Sequence, residues 1–188
     1  MTNSDTTDRS RLAEDAYFRR KDAEILDRAR EIERVARERA ALAQALGALD
    51  ADACEPLFAQ GLRASTAELV EWLPAVEVAW VDGADEAERH ALRVHVTVEG
   101  RASAEGMVLL DGWLTQRPPE EFFLAGRGAI KARLGGLDAD EREDVVARIV
   151  ALCEATGRAA GGYFGLGSLS SNERHQITHI QRDLERPR

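Results

Sequence analysis

The side chains whose type and spacing could carry chemistry fall in a few short stretches. Asp82, Asp85 and Glu88 lie within seven residues around Gly83. Carboxylates bent about a glycine turn offer oxygens to a hard cation, and Ca2+ or Mg2+ is the ion such a site would take. Calcium wants about six or more oxygens, and no Asp-x-Asp-x-Asp-Gly run with its later Glu is present, so the turn would bind weakly or be completed from elsewhere. The same residues also read as a capping box. Asp85 would accept from the backbone N–H of Glu88 while the Glu88 carboxylate reaches back to the N–H of Asp85. That spacing recurs at Ser65 to Glu68, Asp138 to Glu141 and Ser170 to Glu173, each at an expected helix start. Only Asp82 falls outside the capping account, and on sequence both readings stay open.

The remaining candidates are weaker. His175 and His179 are one helical turn apart, but Gln176 stands where a zinc protease has its glutamate, and an amide cannot take a proton from zinc-bound water. A structural zinc would need two further ligands, with His90 the one natural candidate, so these histidines read as solvated or partly packed. Cys54 and Cys153 have no neighbouring histidine and are too far apart in sequence for a metal knuckle, which leaves them as small buried thiols. Ser103, Ser168 and Ser170 lack the Gly-x-Ser-x-Gly elbow. Gly161-Gly162 and Gly165-x-Gly167 follow no strand and read as a flexible turn instead of a phosphate loop. No catalytic residue and no organic cofactor is expected, and the chain is expected not to be an enzyme.

Positioning these residues falls to helices. The chain has 188 residues, 44% apolar and 31% charged, with aromatics at only 5%. That composition suits one domain with a real core and fits poorly with many short strands. No membrane span or secretory leader is recognisable, so a cytoplasmic location is expected. Residues 1–39 carry ten basic and ten acidic side chains, so the surplus of nine negative charges lies in the rest. An acidic body repels phosphate backbones and anionic lipid, and neither nucleic acid nor a membrane is expected as partner.

Residues 1–9 are expected to be disordered and 10–47 to form one long charged helix. Asp8 to Leu46 contains no Gly or Pro, and Phe18, Ile25, Ile32 and Leu46 recur in steps of seven, accompanied by Ala29, Ala36 and Ala43. Arg39 interrupts that series and Asp22 stands where alanine is expected. Pairs in the favourable order, Asp15 to Arg19, Glu24 to Arg28 and Glu33 to Arg37, support the helix. The arm reads either as a solvated helix with one apolar face or as a coiled-coil strand, and a protein partner or self-association through it is expected. Seven shorter helices are expected after Gly47, over 50–60, 66–81, 86–99, 103–116, 119–134, 139–156 and 171–184, with glycines, Gly157 among them, marking the gaps. The run Val145, Val146, Ile149, Val150, Leu152 and Cys153 is the expected central core face. Trp72, Leu73, Val76, Val78 and Trp80 form a second, with Pro74 requiring a kink or a new helix after Trp72.

The sequence also repeats itself. Val81-Asp82-Gly83-Ala84-Asp85-Glu86-Ala87-Glu88-Arg89-His90 and Gly165 through Ser170-Ser171-Asn172-Glu173-Arg174-His175 each pass a glycine turn into a capped helix and end in Glu-Arg-His. Here the chain resembles the TerB-like helical family, named for a tellurite-resistance protein. The likeness spans about residues 50 to 184, with Glu77 through Gly83 and Glu88 the best match and Gly161 through Glu173 a looser one. The resemblance implies an all-α, compact helical bundle of two related halves over residues 48–184; the long N-terminal helix that precedes it lies outside the resemblance. It further implies a non-enzymatic interaction or scaffold module associated with metal-ion and chemical-stress responses. The positions matching the acidic cation site proposed for the family are Asp82, Asp85, Glu88 and Glu173. Gly167, Ser168 and Ser170 stand where a second acidic set would need carboxylates.

Overall fold

A computed structural model describes residues 3–47, 49–99, 102–160 and 168–186. The described residues form eight α-helices and one 3-10 helix and contain no strand. They are α1 (Asn3–Ala45), α2 (Glu55–Ala59), the 3-10 helix (Ala64–Trp72), α3 (Leu73–Ala79), α4 (Glu86–Glu99), α5 (Ala104–Thr115), α6 (Glu120–Leu134), α7 (Ala139–Ala160) and α8 (Ser171–Glu185). None of the helices is long and apolar enough to cross a membrane, among the described residues. The glycine turn over 161–167 lies outside the described residues.

The chain divides into two compact units, Met1–Glu38 and Arg39–Arg188. The first is α1 up to Glu38. Its helix starts at Asn3, inside the stretch expected to be disordered, because nothing before Gly47 interrupts helical hydrogen bonding. From Tyr17 to Arg34 every side chain is exposed, including Phe18, Ile25 and Ile32. Ion pairs hold its surface mostly at i,i+3 instead of the expected i,i+4. Lys21 meets Glu24 at 2.9 Å, Arg30 meets Asp27 at 3.1 Å and Arg34 meets Glu31 at 2.6 Å while also reaching Glu38. Arg37 reaches the Glu33 backbone carbonyl in place of its carboxylate, and the side chain of Asp15 lies outside the described residues.

The second unit begins eight residues before Gly47. Leu42, Ala43 and Leu46 are core residues of this unit, and a helix that buries its i and i+4 leucines there belongs to it by packing and not by punctuation. Arg39, the interruption in the heptad series, pairs with Glu55 at 2.6 Å and lies over the Phe58 ring. The expected helix 50–60 contracts to α2, and the expected 66–81 divides in two. Pro74 lacks an N–H to donate and sits in the first turn of α3, where none is needed, so a 3-10 segment precedes it.

All seven residues of α3 are buried, which makes α3 the centre of the core, with α7 beside it. On α7 the inward residues are Val146, Ile149 and Cys153, and Val145, Val150 and Leu152 are half-buried. Phe122 packs against Trp113 at 5.1 Å between ring centres with the rings tilted by 55°, and the two indole N–H groups tie elements together. Trp80 Nε1 donates to the Trp113 carbonyl at 2.8 Å, and Trp113 Nε1 donates to the Gln60 carbonyl at 3.0 Å. Gly157 marks no gap. It lies inside α7, where a Cβ would come within 2.6 Å of Leu169 Cδ2 and 2.8 Å of Glu173 Oε1, so hydrogen is what lets the start of α8 approach.

Candidate functional site

Both copies of the repeat are capping boxes. Glu88 N donates to Asp85 Oδ1 at 2.9 Å, and Asp85 N donates to Glu88 Oε2 at 2.9 Å. In the second copy Glu173 N donates to Ser170 Oγ at 3.1 Å and Ser170 N donates to Glu173 Oε2 at 2.6 Å. The following arginine folds back in each: Arg89 Nε donates to the Ala84 carbonyl at 2.7 Å and Arg174 Nη2 to the Leu169 carbonyl at 2.7 Å. His90 and His175, third in each triplet, are exposed. The start of α7 repeats the device, with Asp138 and Glu141 bonded reciprocally and Arg142 Nη2 on the Leu137 carbonyl. Glu-Arg after an Asp or Ser cap is therefore a helix-start unit in this chain. It satisfies two otherwise orphaned N–H groups and a carbonyl just before the helix.

The Ser65 to Glu68 box does not form. Arg63 N donates to Thr66 Oγ1 at 3.1 Å instead, and Ser65 bonds to Glu105 at 3.2 Å. The tighter 3-10 turn there moves the residues off the spacing an α-helical box requires. Ser103, noted only for lacking a hydrolase elbow, caps α5 by accepting from Gly106 N at 3.1 Å.

The first repeat's turn and the start of α8 are neighbours. Asn172 Nδ2 donates to Asp82 Oδ1 at 3.4 Å, which gives the one carboxylate outside the capping scheme a tie to α8. Glu88 and Glu173 are each 3% exposed. Burial, with the negative charges of Asp85, Glu173 and Asp82 nearby, pushes the Glu88 carboxyl up to about 7, against the lowering effect of its bond from Asp85 N. The structure thus gathers Asp82, Asp85, Glu88 and Glu173 into one acidic region while committing Asp85, Glu88 and Glu173 to backbone N–H groups. Among the described residues no group of three or more His, Cys, Asp or Glu side chains is arranged to hold a metal ion.

Gly83 is what the turn cannot replace. Its φ of +110° lies where a Cβ is strained although nothing crowds the position, and Ala84 follows at φ +37°. Gly83→Ala is expected to lower the unfolding free energy by about 1 kcal/mol. Denaturant titration checks this, and a neutral result would mean the turn relaxes without strain.

A second polar cluster lies deeper, and no short motif marks it. Glu77 on α3 is 6% exposed and Arg127 on α6 is 3% exposed. Arg127 Nη1 bonds Glu77 Oε2, Gln176 Nε2 donates to Glu77 Oε1 at 2.8 Å, and Arg127 Nε meets Asp183 Oδ2 at 3.2 Å. Lys131 closes the chain on Asp183 Oδ1 at 3.1 Å. Burial drives the Glu77 carboxyl upward against Arg127, and the Lys131 and Arg127 charges hold Asp183 below the usual carboxylate range although its own partial burial opposes them. The signal for this cluster was present: Glu77 is the one charged residue in Leu73–Ala79, and a charge within a wholly apolar helix requires a buried partner. Which residue would supply that partner, fifty positions away, could not be read along the chain.

The thiols of Cys54 and Cys153 are buried and unbridged, and burial drives both above their ordinary value. A thiol in that state is a poor nucleophile. His175 and His179 are both exposed. Comparison with known protein-family models, with curated proteins and with solved structures finds no match.

Proposed function

We infer that the chain is a non-enzymatic interaction module of the TerB-like type, in which the helical body holds and α1 binds. One observation carries this reading: Phe18, Ile25, Leu26 and Ile32 stand between 54% and 64% exposed along the first unit. Large apolar side chains left in water on a regular helix mark a surface that gains free energy by being covered. In the body the deepest ionisable groups are committed to one another or to helix starts, so charge there serves structure. The TerB-like resemblance extends the reading to chemical or metal-ion stress as the setting.

The test is a photo-crosslinking residue placed at Ile32 in the full chain, expressed in the source cell, with one at Val98 of α4 as the body control. Adducts are expected from position 32 and not from 98. An arm position that yields no adduct of any kind, under conditions of stress or without, overturns the reading of the arm as the binding element.

A further inference from the structure

The exposed face of α1 has a shape as well as a polarity. Ile25, Arg28, Ala29 and Ile32 line a shallow hollow on the helix surface, with Lys21 and Glu24 at its rim. Those four residues, spaced i, i+3, i+4 and i+7, are the diamond that receives one side chain of a facing helix in knobs-into-holes packing. Ala29 is the smallest of the four, so its position leaves room for a large aliphatic knob. The same alternation extends outward: Phe18, Ile25 and Ile32 are the large members of the seam and Ala29 and Ala36 the small ones, with Asp22 at the outer small position.

We propose that this seam receives a second copy of the same chain, with its α1 running antiparallel and the two-fold axis near Asp27. The proposal rests on the reading of the arm as the binding element and names its partner. Four features select the antiparallel second copy. Residues whose numbers add to 54 then share a layer, so Ile25 of each copy lies over Ala29 of the other, Phe18 over Ala36 and Ile32 over Asp22, a large residue against a smaller one each time. A parallel pairing would set Ala29 on Ala29, leaving the hollow unfilled, and Asp22 on Asp22, two like charges at one layer. Along one flank, Arg19 of each copy meets Glu33 of the other, an opposite-charge pair made twice. At the centre of that flank the exposed Leu26 meets its own counterpart, which accounts for a leucine standing outside the seam. Arg28 meets Arg28 across the other flank, where long side chains diverge into solvent.

The full chain is to be weighed by light scattering over the micromolar range, alone and as Ile25→Glu and Ile32→Glu. The wild type is expected at twice the chain mass. Each variant is expected to fall to the single-chain mass at the same concentration, with the melting of the body unchanged because Ile25 and Ile32 are exposed and outside its core. Register is read by disulfide trapping. Leu26→Cys, whose two copies lie about 3 Å apart along the axis, is expected to form a covalent dimer under mild oxidation, and Phe18→Cys, about 27 Å apart, is not. A wild type that stays monomeric, a dimer indifferent to both glutamates, or trapping at position 18 and not at 26 each overturns the proposal. A monomeric wild type with photo-adducts to another protein at Ile32 would end the self-pairing and leave the arm as the binding element.

Discussion

Arg127→Met is expected to lower the unfolding free energy by about 3–5 kcal/mol. The substitution keeps much of the side-chain volume, so the loss is electrostatic in origin. It strands the Glu77 carboxylate 6% exposed inside α3 with the Gln176 amide as its remaining hydrogen-bond partner, and leaves Asp183 paired with Lys131. A stranded carboxylate relieves itself by taking a proton. Burial already pushes Glu77 upward in the wild type, and without the guanidinium it rises further. The deficit should therefore be smaller at about pH 5 than at about pH 8, because the variant's folded state gains a proton that the wild-type pair does not need. Combining Glu77→Leu with Arg127→Met removes both charges at once, and a buried pair replaced by apolar side chains of similar size is often neutral. The double variant should recover most of the loss. Chemical denaturation of the wild type, Arg127→Met, Glu77→Leu and the double variant at the two pH values measures the full cycle. An Arg127→Met loss below about 1 kcal/mol, or a double variant equal to the sum of its parts, would show that the pair is not coupled as its geometry implies.

The second large effect is a loss of stability on the alkaline side. The Glu88 carboxyl titrates at about 7 in the folded chain against 4.5 when unfolded. A carboxyl raised by folding binds its proton more tightly in the native state. Its contribution is then greatest below the unfolded value and is lost as pH rises through the folded one. Between about pH 5 and pH 8 the wild type should lose on the order of 2 kcal/mol on this account. The first cause is burial of the carboxyl, and the negative charges of Asp85 on its own cap, Glu173 at the start of α8 and Asp82 in the turn add to it. Glu88→Gln carries no charge and keeps an oxygen for the N–H of Asp85. It should unfold at higher denaturant than the wild type at about pH 8, and its stability should vary less across the interval. The contribution of Glu77 has the same sign but is common to both proteins and cancels in the comparison. Parallel pH profiles for the two would remove the assignment to Glu88.

A large share of the architecture can be read along the chain because helix boundaries are local events. α4 runs over 86–99 as expected, and α5, α6 and α8 begin and end within one residue of the expected spans. Caps, glycines and apolar spacing act within a turn or two, so neighbours suffice to read them. Where the reading failed, distant contacts had intervened. Gly157 looks like a stop and is a close approach between α7 and α8; Gly47 looks like a border, but Leu42 and Leu46 before it belong to the core.

Alone, the order of residues determined that this chain is helical, that its repeated Glu-Arg-His opens helices, and that a long charged arm carries an apolar stripe. Those properties depend on spacings of three, four and seven residues, which chain connectivity delivers directly. The tertiary structure alone decided that Glu77 answers to Arg127, that Asp82 reaches Asn172, and that Asp82 and Glu173 stand near Glu88 and help to raise its proton affinity. The first two pairs join residues fifty and ninety positions apart. Their encounter is set by how α3, α6 and α8 pack, and so is the depth of burial that turns an ordinary glutamate into one half-protonated near neutrality.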